Sequence, residues 1–189
     1  KNSYNPTHPG TVISRTRDMS ESLVTAITTK KGVRVVDIVS TRMLGQYGFL
    51  SKVFSTFERN KVSVDVVATS EVSVSLTLDE NETGVQGVID ELSEVAAVTL
   101  KNGKAILSLV ANIHRSSEVL GIVFSVLSAE GISVDMLSQG ASKVNIGLVL
   151  NADDLERATQ ALHRCFFEEK HVPAMGDAVF ECAGTGVDA

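Results

Sequence analysis

A glycine directly before an apolar helix, with two acidic residues downstream, sets the chemistry this chain could support. Gly48 precedes a helical stripe of Phe49, Leu50, Val53, Phe54 and Phe57. A glycine there leaves the first backbone N–H groups of the helix open, and a helix N-terminus favours a carboxylate through hydrogen bonding and its dipole. Asp65, on the next predicted strand, and Glu71, in the hairpin loop Ala68-Thr69-Ser70-Glu71, are expected near that helix end. Donors beside two carboxylates suit a zwitterion with one additional positive charge. Spacing alone leaves a plainer reading open, in which Gly48 permits a turn, Asp65 caps or solvates a strand and Glu71 is loop surface.

Catalytic patterns are absent from the sequence. It has no GxxxxGK[ST] loop and no GxGxxG after a strand, and Gly45-Gln46-Tyr47-Gly48 is the nearest approach. His8, His114, His163 and His171 lack metal-ligand spacing, and HExxH, GxSxG and CxxC do not occur. Cys165 falls in a helical apolar pattern and Cys182 in a Gly-rich tail, so both read as inert thiols of a reducing compartment. No nucleophile with a base emerges, and the chain does not read as a self-sufficient enzyme.

The elements that must position Gly48 and Asp65 come from a duplication. Val53-Phe54-Ser55 recurs as Val123-Phe124-Ser125 and Ser63-Val64-Asp65 as Ser133-Val134-Asp135, each 70 positions on. Val119, Leu120, Val123, Phe124 and Leu127 repeat the first helical stripe. Strands are predicted at 63–68 and 133–137, followed by alternating strands through Val72, Val74, Leu76 and Leu78 and through Val144, Ile146, Leu148 and Leu150. Further strands are expected at 33–39, 97–101 and 105–110, with second helices at 83–92 and 153–167, the last capped by Asn151 or Asp153. Each copy thus reads β-α-β-β-α-β, an α+β ferredoxin-like unit with two helices on one sheet face. The second copy lacks a closing strand, while 22–29 is a strand to spare. Recruiting it would insert the first unit into the second.

Composition removes other classes. The net charge of -6, with 23 acidic against 17 basic residues, opposes a phosphate-neutralising surface. Polar Ser73, Ser75 and Thr77 stand where an RNA-binding sheet of this topology would show aromatics. No apolar run approaches the ~20 residues that cross a bilayer, so neither nucleic acid nor membrane is expected as a partner. The chain begins at Lys1 without Met and reads as a piece of a longer protein.

Longer motifs carry a resemblance. The runs Val36-Asp37-Ile38-Val39-Ser40-Thr41-Arg42-Met43-Leu44-Gly45, Gly48-Phe49-Leu50 and Ser63-Val64-Asp65-Val66-Val67-Ala68-Thr69-Ser70-Glu71-Val72-Ser73-Val74-Ser75-Leu76-Thr77-Leu78-Asp79 closely resemble the regulatory region of aspartate kinases. The likeness is nearest to the monofunctional, lysine-sensitive type. Ser138-Gln139-Gly140-Ala141-Ser142-Lys143-Val144-Asn145-Ile146 resembles the matching stretch of that family's second ACT domain, and Asn5-Pro6-Thr7-His8-Pro9-Gly10-Thr11 resembles the end of its kinase domain. The resemblance runs over 1–168. It implies two ferredoxin-like ACT domains in tandem, the first inserted into the second: 1–20 as the end of the kinase domain, 33–101 as the first ACT domain, 21–32 plus 103–169 as the second, and 170–189 as a tail.

The resemblance also implies a function. The intact enzyme phosphorylates the aspartate side-chain carboxylate with ATP and Mg in an upstream kinase domain, and the regulatory region itself needs no cofactor. Free lysine, or threonine in some relatives, binds where the first ACT domains of a homodimer meet, and some relatives require S-adenosylmethionine as well. Carried over position by position, Gly48, Phe49 and Leu50 would hold the effector carboxylate and Ser63 and Val64 would offer carbonyls to an amino group. Asp65 and Glu71 would counter positive charge, with Met43, Gln46, Thr69 and Ser70 lining the pocket. Gly45-Gln46 matches the plant version, where some bacterial relatives have His-Ser, and 81–97 is shorter than in many relatives. Glu118-Val119 stands where Gly48-Phe49 stands in the first copy, so one effector site per chain is expected. The location implied is cytoplasmic, or plastid stroma for a plant or alga. The other reading is a structural dimerisation module that binds no effector.

Overall fold

The computed structural model describes residues 23–40, 47–140 and 145–168. Its strands form one six-stranded antiparallel sheet, in the order β2-β3-β1-β4-β6-β5. Two strands are unusually long: β1 (Val24–Val39) and β4 (Ala97–Ala111). Each fuses two strands that the sequence had suggested separately. Between them lie α1 (Phe49–Arg59), β2 (Val67–Thr69), β3 (Ser73–Asp79) and α2 (Val85–Ser93). After β4 come α3 (Ser116–Ala129), β5 (Met136–Gln139), β6 (Asn145–Asn151) and α4 (Leu155–His163).

Strand pairing establishes the insertion. The far half of β1 pairs with β3, Val33↔Asp79 through Val39↔Ser73. Its near half pairs only with β4, Ala26↔Val110 through Lys30↔Ile106, and so closes the second unit's sheet from upstream. The register shifts twice where the units join, between Lys30 and Val33 and again between Val33 and Val35. Gly32 and Gly103 lie there in β1 and β4, at φ 68° and 65°, a left-handed backbone that glycine adopts without a Cβ clash. The irregularity also changes the phase of alternation. Val36 and Ile38 pack under the first pair of helices, whereas Ile27, odd-numbered, packs under the second.

Three apolar clusters follow. Val36, Ile38, Val53, Phe57, Leu76 and Leu92 form the core between sheet and helices of the first unit. Leu107, Leu109, Val123, Leu148, Leu150 and Leu162 do the same in the second. On the other sheet face, Val33, Val35, Ile106, Met136 and Val149 form a third cluster, with Val66 and Ala68 against it. The edge strands β2 and β5 touch although they end the strand order. The sheet therefore curls over its own second face.

Local differences from the sequence reading have physical causes. The strand expected at 63–68 is regular only over Val67–Thr69, because Asp65 and Val66 both face Thr77: Asp65 N–H donates to the Thr77 carbonyl, and Val66 N–H to Thr77 Oγ1. Such a bulge puts consecutive side chains out of alternation. Met136–Gln139 likewise starts later than the expected 133–137, with Asp135 N–H on the Val149 carbonyl. The helix expected at 153–167 begins at Leu155 and passes into a π-helical turn, Arg164–Glu168. Neither Asn151 nor Asp153 caps it with a side chain, and Asp154 pairs with Arg157. The assignments at 1–20 and 170–189 lie outside the described residues.

Leu107 is fully buried on β4, the strand common to both units. Replacing it with Ala should destabilise the chain by about 2–5 kcal/mol, read as a lower urea midpoint. A loss under 1 kcal/mol would show that the second unit's core does not depend on this strand.

Candidate functional site

Gly48 is the N-cap of α1, at φ 84° and ψ 3°, and no side chain caps the helix. Lys52 N–H donates to the Gly48 carbonyl at 3.0 Å. An added Cβ at Gly48 would meet nothing within 4 Å, so the demand for glycine here is conformational rather than steric. The first N–H groups of a helix have no intrahelical acceptor, which leaves those of Phe49 and Leu50 directed out of the helix mouth. Val53, Thr56 and Phe57 anchor α1 to the sheet, while Tyr47, Leu50 and Phe54 are exposed.

The second unit is built differently at the same place. Counting 70 positions on, Val119 matches Phe49, yet α3 already begins at Ser116. The N–H groups equivalent to the α1 mouth are therefore inside a helix and bonded one turn back. Glu118 fills the first turn and takes two hydrogen bonds from Arg115, at 2.7 and 2.6 Å. This added turn, together with the acid, makes the two helix N-termini different: open backbone N–H groups at α1, and none at the equivalent place in α3.

The remaining residues singled out in the sequence divide by location. Ser63 is exposed and its N–H donates to Glu82 Oε1 at 3.3 Å, while Val64 packs against the first core. Thr69 ends β2, and Ser70 opens the turn, its Oγ 2.6 Å from Ser73 Oγ and accepting the Ser73 N–H at 3.1 Å. Glu71 is exposed at the hairpin tip. The Ser40 N–H reaches the Val72 carbonyl at 2.9 Å, so this tip lies beside the end of β1, from which the chain leads toward Gly48. Asp65 stands four residues before Thr69, about 13 Å along an extended strand. Its N–H bonds the Thr77 carbonyl and its partner Lys30 also meets Asp79. Within one chain it therefore lies away from the helix mouth where the sequence placed it, and only Glu71 is near. Met43 and Gln46 lie outside the described residues.

Asp65 already has a cation. Lys30 Nζ is 2.5 Å from Asp65 Oδ2 and 3.6 Å from Asp79 Oδ2. The Asp65 hydrogen bond, against a desolvation cost, holds Lys30 above the ordinary lysine value of 10.5. Lys30, Asp79 and Glu82 escaped the sequence reading, because only the inserted topology carries Lys30 across to the first unit. Asp135, the repeat of Asp65, pairs with Lys104 at 2.5 Å. A cleft of about 310 Å³ beside Asp65 is lined by Val66, Val67, Ser108, Ser138 and Asn145. Its counterpart of about 270 Å³ holds Asp37, Ser75, Lys101 and Asp135. In it, Lys101 Nζ sits 2.5 Å from Asp37 Oδ2. Burial raises the Asp37 pKa, but hydrogen bonds from Lys101 and Ser75 outweigh it and the net shift is downward. His114 and His163 are exposed, and His163 Nδ1 lies 3.0 Å from Glu168. Cys165 is buried. Among the described residues no group of three or more His, Cys, Asp or Glu could hold a metal, and no helix is long and apolar enough to cross a membrane.

Comparison with known proteins bears on this geometry. Residues 36–85 and 107–166 match the ACT domain family. The chain is 53% identical to aspartokinase 3, chloroplastic, of Arabidopsis thaliana, over 96% of its own length and 33% of that protein. It spans about a third of the length of the curated relatives it matches. Among solved structures it is similar to a putative C-terminal regulatory domain of aspartate kinase from Porphyromonas gingivalis, at 32% identity and TM-score 0.65, covering 75% of this chain and 96% of that one. It is also similar to E. coli aspartokinase III in complex with lysine and aspartate, at 31% identity and TM-score 0.69, covering 80% of this chain and 35% of that one.

Two predictions come from this geometry. Gly48→Ala should cost about 1 kcal/mol in chemical denaturation, since Ala must adopt a left-handed backbone; no loss would mean that the helix can start without it. The Asp37–Lys101 pair gives a pH window. Asp37 is lowered from 3.8, so its contribution is present above that value and lost as pH falls through its lower folded pKa. Lys101 is raised from 10.5, so its contribution is present below that value and lost as pH rises through its higher folded pKa. Thermal melts of Asp37→Asn should show a shallower acid-side loss than the parent, and superimposable acid limbs would remove the pair from the stability balance.

Proposed function

The chain belongs to the ACT-domain family, as a regulatory region of the aspartokinases, and on that premise we propose that it senses an end-product amino acid, most specifically lysine. One observation carries the reading. The first unit's helix opens on a left-handed glycine with no side-chain cap, whereas the matching place in the second unit lies inside a longer helix carrying Glu118. The first arrangement suits a carboxylate, and the second has no open N–H groups at that place to hold one.

In this reading the effector's carboxylate takes the N–H groups of Phe49 and Leu50, and its amino groups are met by main-chain carbonyls at Ser63 and Val64 and by Asp65 and Glu71. Thr69, Ser70, Met43 and Gln46 complete the lining. The site forms at a seam between first ACT units of two copies, and the exposed Tyr47, Leu50 and Phe54 beside the helix mouth support an interface there. The lysine bound to the similar E. coli enzyme supports the ligand. An upstream kinase domain, using ATP and Mg to phosphorylate aspartate, would be held inactive when lysine favours one arrangement of the paired ACT units. No cofactor is needed in this region, and threonine is the alternative effector. The chloroplastic relative supports a plastid stroma for a plant or alga, in place of cytoplasm.

A second reading, dimerisation without an effector, is favoured by the ion pair that Asp65 already makes with Lys30. Titration calorimetry separates the two. Lysine at millimolar concentration should bind once per chain, Asp65→Ala should weaken it at least about tenfold, in line with hydrogen bonds to charged groups, and Asp135→Ala should leave it unchanged. Absence of heat with both lysine and threonine, and of any ligand-dependent rise in melting temperature, would leave only the dimerisation module.

A further inference from the structure

We propose that Lys30 is a tethered competitor of the effector: its ammonium occupies the Asp65 carboxylate and must be displaced for a basic amino acid to bind. The proposal rests on the reading of Asp65 as the effector's counter-ion and adds a residue from outside the first unit. Lys30 Nζ lies 2.5 Å from Asp65 Oδ2, the same chemical species and charge as a lysine side-chain ammonium. Lys30 and Asp65 keep side-chain exposures of 41% and 34%. A pair open to water to this degree is weak and exchanges readily.

A second carboxylate stands ready for the displaced group. Asp79 Oδ2 is 3.6 Å from Lys30 Nζ. The other oxygen, Oδ1, is fixed by the Asn81 N–H at 3.0 Å and Asn81 Nδ2 at 2.9 Å. Asp79 is therefore held in place with the oxygen nearer Lys30 still available. Lys30 can give up Asp65 and move fully onto Asp79 without losing a counter-ion. Charge on Lys30 is secure, since its pKa is raised above 10.5.

Competition of this kind sets both affinity and selectivity. With Lys30 present, a basic ligand exchanges one cation on Asp65 for another and gains little there. A neutral ligand of the same shape is indifferent to the exchange. Lys30 also lies on the part of β1 that pairs with β4 of the second unit, at Lys30↔Ile106, just before the Gly32 irregularity. Its release is thus a direct link between occupancy of the first unit and the strand that completes the second.

The test is calorimetric titration of L-lysine and L-norleucine, a side-chain-neutral homologue, into the parent chain and into Lys30→Met, Lys30→Gln, Lys30→Arg, Asp65→Asn and Lys30→Met/Asp65→Asn. Lysine should bind Lys30→Met and Lys30→Gln about two- to fivefold more tightly than the parent, the range expected for an exposed ion pair. Norleucine should not change, Lys30→Arg should behave like the parent, and the gain should vanish in the Asp65→Asn background. Parent binding with unchanged or weaker lysine affinity in both neutral variants would overturn the proposal, as would an equal gain for norleucine. Lysine heat in the neutral variants with none in the parent would support it strongly. No heat in any variant would refute the effector reading itself, and Lys30 with it.

Discussion

The second unit ends its own sequence one strand short, and an open sheet edge beside β4 is the constraint from which this architecture follows. Unpaired strand N–H and C=O groups next to a core are costly, and here they are met by residues upstream of the whole first unit. Once the near half of β1 pairs with β4, the first unit has to be an insertion, and the two long strands have to run through both units. The backbone continuity between the units runs along those strands, and the contact of β2 with β5 joins them across the second face. The paired register shifts around Gly32 and Gly103 then let each unit keep its own inward face.

The same constraint brings charge to the joint. Lys30, Lys101 and Lys104 flank the irregularity, and each meets an aspartate on the curled face: Asp65 and Asp79, Asp37, and Asp135. Both units carry an aspartate at the matching strand position, Asp65 and Asp135, but their first helices start differently. α3 starts a turn earlier than α1 and carries Glu118 in that turn, so the two units differ at this helix start. The scaffold is thus symmetric while its two helix starts are not.

Much of this was legible in the residues. The pairs Val53-Phe54-Ser55 and Val123-Phe124-Ser125 fixed the repeat, period-two runs fixed the alternating strands, and the spare strand at 22–29 pointed to insertion. Gly48 stood out because an apolar helix followed it at once. What stayed hidden depended on tertiary geometry. Thr77 lends its hydroxyl to the backbone at Val66, and nothing in a strand-like run of Ser63 to Ala68 announces that bulge. The fusion of 22–29 with 33–39 needed two glycines to carry a register change rather than a turn. Lys30 and Asp65 are 35 residues apart, and only the pairing of β1 with β4 and the curl of the sheet put them in contact.

The most direct measurement is a crystal structure of this chain grown with lysine. The account predicts a two-copy assembly with the ligand's carboxylate on the N–H groups of Phe49 and Leu50, an ammonium within hydrogen-bond distance of Asp65, and Lys30 turned to Asp79. Lysine bound in the cleft of Asp37 and Lys101, or an Asp65–Lys30 pair left intact beside a bound ligand, would contradict it.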